Sequence, residues 1–255
     1  MKIQHTTTSI KNTSSGIPIV TLQREETVQV FNGNQDNGFH PYGTQWWTNP
    51  QCPHSFKYLN IDSMYPPVYF NDPNIGHPPD HVSEIIYDYM QEMYQRVFGR
   101  KFDSILELGV GGGEITKQFH KNNLDYVAVE GTTAGCDKLV DNGIMRGRIL
   151  QADLKLMPKL GRRFDISMCT EVAEHIEPWF ASKVVSNCID HADVVWFSAA
   201  QGELHPHYHH MNEVPIEAWD NLFAYFGFHN YIALDGRYGR AHRIYLSDIA
   251  LKLVK

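Results

Sequence analysis

The stretch TEVAEH, residues 170–175, carries two carboxylates and an imidazole within a short length of chain. Glu171 and Glu174 are three positions apart, so both side chains lie on one face if a helix begins there. Carboxylate and imidazole groups together are ligands for divalent metals, and an imidazole alone can act as a general base. More imidazoles follow in the stretch QGELHPHYHHMNEVPIEAW, at His205, His207, His209 and His210.

These residues support two hypotheses, which both stay open. In the first, a divalent metal (Mg²⁺, Mn²⁺, Fe²⁺ or Zn²⁺) is bound by Glu171, Glu174, His175 and His210. His210 is the best placed of the later histidines because Glu213 follows it by three residues. In the second, there is no metal, and His175 or His210 acts as a general base or shapes the pocket. His205 and His207 are interpreted as surface residues.

A glycine-rich turn lies upstream of this stretch. The apolar run Ile105–Leu108 predicts a strand, the sequence GVGGG follows, and an amphipathic segment begins at Glu114. The order strand, glycine turn and helix presents main-chain N–H groups and a helix N-terminus to a nucleotide-like ligand. The dinucleotide fingerprint G-x-G-x-x-G requires a different glycine spacing, so the turn disfavours a nicotinamide dehydrogenase.

Two acidic residues follow the next predicted strands. Glu130 ends the apolar run YVAVE, where a carboxylate can accept hydrogen bonds from both hydroxyls of a ribose. Asp153 comes directly after the run RILQ and the residue Ala152. Together with the glycine turn, these acids predict a ligand that contains ribose and adenine.

From about Asp80 to Lys255 the sequence resembles the class I S-adenosylmethionine-dependent methyltransferases. Four of their motifs occur in the expected order, in ELGVGGG, Glu130, QADL and FDISMCTEVAEHI. The resemblance implies S-adenosylmethionine as the cofactor. It also implies that Glu107 serves the amino group, Glu130 the ribose and Asp153 the adenine amino group. The remaining cofactor-binding residues that it implies are Gly109, Gly111, Gly113, Leu154 and Thr170.

The pattern E-x-x-E-H with a later histidine resembles small-RNA 3′-terminal 2′-O-methyltransferases, and E-x-x-E-H also resembles quinone-biosynthesis O-methyltransferases. A methyl group moves to oxygen only if a hydroxyl is held in line with the sulfonium and loses its proton. We therefore expect an O-methyltransferase acting on a small hydroxylated substrate: a sugar, a nucleotide-sugar or a secondary metabolite. The alternatives are methylation of the 3′-terminal 2′-hydroxyl of RNA, and a regulatory protein that binds S-adenosylmethionine without catalysis.

Predicted strands and helices alternate from Phe102 onward, which indicates an α/β fold with a doubly wound, Rossmann-like sheet. The resemblance implies seven strands. Two β-like segments, Tyr231–Leu234 and Asp248–Val254, are expected to close the chain. Ahead of the strand Ile105–Leu108, a helix with Asp80 as its N-cap is predicted.

Residues 1–79 differ in texture from residues 80–255, which we expect to form the methyltransferase domain. The earlier part is rich in Asn, Pro, Gly and aromatic residues, and Pro and Asn-Gly steps interrupt regular structure there. It is interpreted as a loop-rich extension that either packs on the domain through its rings or forms a lid. In the second interpretation Tyr42, Trp46 or Trp47 faces a ligand.

The 255 residues are 42% hydrophobic and 20% charged, as in an ordinary globular protein. A net charge of −7 disfavours nucleic acid as the main partner, because phosphates require clustered Lys and Arg. The sequence contains no apolar run of signal-peptide or membrane-spanning type. Four cysteines without C-x-x-C pairing suggest a reducing compartment, so a cytoplasmic protein is expected. The oligomeric state is not predicted.

Overall fold

The computed structural model describes residues 5–24, 61–71, 79–201, 210–234 and 242–255, and nine strands of these residues form one sheet. The strands are β1 (His5–Asn12), β2 (Pro18–Arg24), β3 (Ser104–Leu108), β4 (Asp125–Glu130), β5 (Ile149–Gln151), β6 (Ile166–Thr170), β7 (Val194–Ser198), β8 (Asn230–Leu234) and β9 (His242–Leu246). The helices are α1 (Ile61–Met64), α2 (Pro67–Asn71), α3 (Asp80–Phe98), α4 (Glu114–Lys121), α5 (Thr133–Asp141), α6 (Ala181–Ile189), α7 (Ile216–Tyr225) and α8 (Asp248–Leu253).

The sheet has the order β1-β2-β8-β9-β7-β6-β3-β4-β5. Strands β5, β4, β3, β6 and β7 run parallel, so their carboxyl ends meet at one edge of the sheet. Apolar side chains of α3, α4 and α5 belong to one buried cluster, and those of α6 and α7 belong to another. This confirms the α/β class with helices on two faces of a mixed sheet, and it predicts a ligand site at the carboxyl edge.

The predicted count of seven strands is not confirmed, because the sheet of the described residues has nine: β3 to β9 and the two strands of an earlier hairpin. The hairpin β1–β2 extends the sheet beyond β8, where Val20 pairs with Tyr231 and Thr21 with Asn230. A hydrogen bond from Thr21 Oγ1 to Asn230 Oδ1, at 2.7 Å, supports the same register. Ile19 is fully buried, so this end of the chain contributes a strand to the main sheet.

Two local predictions are also corrected. Asp248–Val254 contains the helix α8 instead of a strand, because the Ser247 side chain accepts a hydrogen bond from Ala250 N–H and caps a helix there. The closing strand is β9. At α3 the N-cap is Pro79 and Asp80 is the first helical residue, so the Asp80 carboxylate is not the cap.

Helix α3 fixes the start of β3. Its buried face includes Met90 and Tyr94, and its C-cap Gly99 adopts a left-handed conformation with φ of 74°. The Gln91 amide donates to Phe102 O at 3.0 Å, and its oxygen accepts from Phe102 N–H at 3.1 Å. The paired bonds hold the first strand of the parallel block against the helix.

No helix in the described ranges is both long and apolar enough to cross a membrane. The described cysteines, Cys136, Cys169 and Cys188, are buried free thiols.

Candidate active site

The glycine turn after β3 depends on left-handed backbone conformations. Gly109, Gly111 and Gly113 have φ of 74°, 60° and 82°. A Cβ atom at Gly109 would lie 2.5 Å from Cγ2 of Val172, and one at Gly113 would collide with Leu139. A residue with a Cβ atom would have a strained backbone at these positions and would also collide with its neighbours at Gly109 and Gly113. The shape of the turn therefore requires the predicted glycines.

Glu107 lies below the turn, near the end of β3. The residue is 5% exposed, and its carboxylate accepts a hydrogen bond of 2.6 Å from Thr116 Oγ1, which joins β3 to α4. Burial raises the pKa of Glu107 to about 8, and the Thr116 hydrogen bond opposes that rise. A carboxyl group of this kind gains its charge when a cation is placed beside it.

Glu130, the last residue of β4, is buried and connects two loops. One oxygen accepts from Gly111 N–H at 3.1 Å, and the other accepts from the N–H and hydroxyl of Thr132 at 2.9 and 2.8 Å. Burial raises the pKa of Glu130, whereas these hydrogen bonds lower it. The carboxylate therefore holds the glycine turn beside the start of α5.

The segment after β5 carries Asp153 and Leu154. Asp153 Oδ1 accepts from Lys155 N–H at 2.9 Å, and Leu154 O accepts from the Asn187 amide at 2.7 Å. The Lys155 ammonium lies 3.6 Å from Asp153 and 3.4 Å from Glu177. This cation is mostly buried between two carboxylates, so it links the loop after β5 to the loop after β6.

Glu171 follows Thr170, the last residue of β6, and is not among the potential ligands that converge in the described part of the chain. Its φ is 56°, an uncommon value for a residue with a side chain. Its N–H donates to Ser198 O at 3.1 Å, and its carboxylate accepts from Ser198 Oγ at 2.7 Å. The bonds to Ser198 hold Glu171 against the end of β7, which explains why it does not join the ligand group.

Glu174, His175 and His210 converge, with one potential ligand atom of each lying within 4.8 Å of the others. Glu174 and His175 belong to a 3₁₀ turn, Ala173–His175, rather than to an α-helix that begins at Glu171. The carbonyl of Glu174 accepts from Met211 N–H at 2.7 Å and Asn212 N–H at 2.9 Å. These main-chain bonds bring His210 to the turn, where its ring centroid is 4.6 Å from that of His175.

Glu213 orients His210. One carboxylate oxygen of Glu213 contacts His210 Nδ1, and both side chains are almost completely buried. An imidazole that donates from Nδ1 to a carboxylate has its lone pair on Nε2, which can accept a proton or bind a metal. Glu213, which follows His210 by three residues, therefore orients the ring through this contact.

Sequence reasoning missed a set of residues between the loops after β4 and β6. Tyr65 packs edge-on against His175, with a centroid distance of 6.1 Å, and against Tyr69 at 5.0 Å. Burial raises the pKa of the Tyr65 hydroxyl, and Tyr69, Glu174 and Glu130 raise it further. The aromatic content of residues 31–70 was the available signal, but no spacing rule distinguishes Tyr65 from its neighbours.

Other residues named from the sequence lie outside the described ranges: Tyr42, Trp46, Trp47, His205, His207 and His209.

No protein-family model matches this sequence, and no curated protein matches it. Solved structures do. The methyltransferase domain of bacterial CtHen1-C has 14% identity and a TM-score of 0.50, covering 66% of this chain and 97% of that one. DesVI of Streptomyces venezuelae has 13% identity and a TM-score of 0.51, covering 66% of this chain and 91% of that one. At such identities the likeness shows a shared fold: this chain has the class I methyltransferase fold.

Proposed function

We propose that this protein is an S-adenosylmethionine-dependent methyltransferase that methylates a hydroxyl of a small molecule, such as a sugar, a nucleotide-sugar or a secondary metabolite. One observation carries the proposal: Glu174, His175 and His210 converge after β6, and β6 is the neighbour of β3 in the sheet. The glycine turn follows β3, so proton-accepting groups lie next to the expected cofactor. Transfer to oxygen requires such groups because the hydroxyl must lose its proton.

In the simplest form of the reaction His210 is the general base. Glu213 holds Nδ1 of the ring, so Nε2 can take the proton of the acceptor hydroxyl as the oxygen attacks the methyl carbon. The carbon–oxygen bond forms while the sulfur–methyl bond breaks, and the sulfonium becomes the neutral thioether of S-adenosylhomocysteine. His175, packed against His210, would limit how the acceptor enters.

The same three residues fit a divalent metal. One carboxylate and two imidazoles lie close enough to share an ion, and Glu213 supplies the outer carboxylate that usually orients a histidine ligand. A bound metal would lower the pKa of the acceptor hydroxyl. Glu171 is outside this set, so the metal hypothesis applies to Glu174, His175 and His210 with remaining positions for the acceptor or water.

A small acceptor agrees with the charges of the chain. The net charge is −7, and the cation of Lys155 is already paired with Asp153 and Glu177. A polyanion would gain little from such a site. The alternative acceptor, the 3′-terminal ribose of an RNA, is favoured by the convergence of residues that match part of the E-x-x-E-H pattern.

The experiment is a methyl-transfer assay that measures S-adenosylhomocysteine. Purified protein with S-adenosylmethionine is offered sugars, nucleotide-sugars, phenolic metabolites and a short RNA with an intact or a periodate-oxidised 3′ end. We expect turnover with a small hydroxylated compound, and its loss in His210→Ala with cofactor binding retained. Turnover with only the intact RNA would establish the alternative acceptor. Binding without turnover on any acceptor would indicate a regulatory protein, and an absence of cofactor binding would refute the methyltransferase assignment.

A further inference from the structure

Residues 61–71, which comprise α1, Tyr65, Pro66 and α2, are named the cap segment. It is fixed to the start of α5 by Asp62. Thr133 N–H donates to Asp62 Oδ1 at 2.6 Å, and Thr133 Oγ1 contacts Oδ2 at 3.3 Å. These residues are 71 positions apart in sequence, so the contact fixes where the cap segment lies.

Ile61 covers the loop after β4. A Cβ atom at Gly131 would lie 2.6 Å from Cδ1 of Ile61, so the isoleucine side chain occupies the space above this glycine. Gly131 directly follows Glu130, the expected ribose ligand. At the other end, Tyr65 contacts His175 in the loop after β6. In the sheet, β3 lies between β4 and β6. The cap segment therefore bridges the two loops on either side of the glycine turn.

The cofactor's sulfonium must lie between its ribose and the groups that handle the acceptor. Tyr65 lies against the second of these positions through its ring contact with His175, and Ile61 of the same segment lies over Gly131, beside Glu130 at the first. Tyr69 packs edge-on against it. The Tyr65 side chain presents an aromatic ring, and an aromatic ring attracts a cation through its π-electrons.

We propose that the cap segment forms one wall of the methyl-transfer site, and that Tyr65 is a cofactor-binding residue whose ring contacts the positively charged sulfur. The inference rests on the proposed function and extends it. It has a specific consequence. S-adenosylmethionine carries the sulfonium charge and S-adenosylhomocysteine does not, so the ring stabilises the bound substrate form more than the product form.

The test compares the binding of both compounds to the wild type, Tyr65→Phe and Tyr65→Leu by calorimetry, with Tyr225→Leu as a control on α7. Tyr65→Phe keeps the ring, so we expect both affinities to change by less than about twofold. Tyr65→Leu removes it, and we expect S-adenosylmethionine to lose about three- to tenfold more affinity than S-adenosylhomocysteine. Equal losses for the two compounds would overturn the role of Tyr65. If the wild type bound neither compound, the proposed function itself would fail.

A second measurement keeps the proposal testable if Tyr65→Leu does not fold. In the wild type, main-chain hydrogen exchange of residues 61–71 should slow when either compound is bound, because the wall contacts the ligand. Asp62→Ala should weaken both compounds by a similar factor, since it loosens the whole wall; exposed Asp80, mutated to Ala, is its control. Unchanged exchange, together with unchanged binding in Asp62→Ala, would exclude the wall.

Discussion

The main-chain N–H of Gly111 donates a hydrogen bond of 3.1 Å to Oε2 of Glu130, joining the glycine turn after β3 to the last residue of β4. Two motifs that are separate in sequence are therefore one unit in space. The other oxygen of Glu130 is held by Thr132. As a result, Glu130 shapes the turn, and under the proposed function it also accepts hydrogen bonds from the ribose of the cofactor.

Replacing Glu130 should weaken cofactor binding through both roles. Hydrogen bonds to a charged group contribute about 1.5–3 kcal/mol, so Glu130→Ala should reduce the affinity for S-adenosylmethionine by more than about tenfold. Calorimetric titration measures this directly, and Glu92→Ala on the exposed face of α3 is the control. An affinity equal to that of the wild type would remove Glu130 from the cofactor site.

The glycine turn makes a prediction about stability. Gly109→Ala forces a side chain into a left-handed conformation and against Val172, whereas Gly143→Ala meets the same backbone strain in open space. We expect the Gly109 variant to lose about 1–3 kcal/mol more of its free energy of unfolding, because of overpacking. Urea denaturation of the two variants gives the difference. Equal losses would mean that Val172 moves aside without cost.

Glu107 predicts how stability depends on pH. Its pKa of about 8 in the folded protein lies above its ordinary value of 4.5, so the folded state keeps a proton that the unfolded state has released. The contribution of Glu107 to the free energy of unfolding is therefore complete below pH 4.5 and is lost as the pH rises toward 8. Glu107→Gln removes this dependence.

Urea denaturation at pH 5 and pH 8 tests it, with the wild type and Glu107→Gln compared at each pH. Groups that are common to both proteins cancel, and the stability of the wild type relative to the variant should fall from pH 5 to pH 8. A difference that stays constant, or that changes in the opposite direction, would mean that the carboxylate is ionised in the folded protein.

The metal hypothesis can be separated from general-base catalysis through Glu213. If Glu174, His175 and His210 bind a divalent ion, Glu213→Gln should weaken Mn²⁺ or Zn²⁺ binding by about 10- to 100-fold, because the outer carboxylate orients the ligand and raises its basicity. Glu217→Gln, exposed on α7, should bind like the wild type. Failure of the wild type to bind either ion, with turnover unchanged under strict chelation, would favour the metal-free mechanism.

The sequence predicted the parts of the site that follow from local rules. Gly109 and Gly113 are constrained by their own backbone, and Glu130 ends a strand whose apolar pattern is plain, so each was identifiable by position. The contacts of Glu171 were not, because its hydrogen bond to Ser198 depends on how β6 pairs with β7. The position of Tyr65 was not predicted for a related reason. Its place beside His175 is set by the contact between Asp62 and Thr133, which lie far apart in the chain.

The two additional strands of the sheet were not predicted for a similar reason. Ile19 and Thr21 show the alternation of a strand, but alternation does not reveal which strand is the partner. The pairing of β2 with β8 joins residues about 210 positions apart and was visible only in the folded protein. Helix α8 was missed because a capping serine at the start of a short apolar run outweighed the β-like composition.

The carbonyl oxygen of Glu174 receives two main-chain N–H groups from Met211 and Asn212. Neither bond involves a side chain, so both can form between the 3₁₀ turn and the His210 segment whichever side chains the two segments carry. The metal-binding or proton-accepting side chains of the two segments can therefore be exchanged while the main-chain hydrogen bonds between the segments remain. This makes the pair of loops a scaffold on which a different proton acceptor or ligand set can be installed by point substitution.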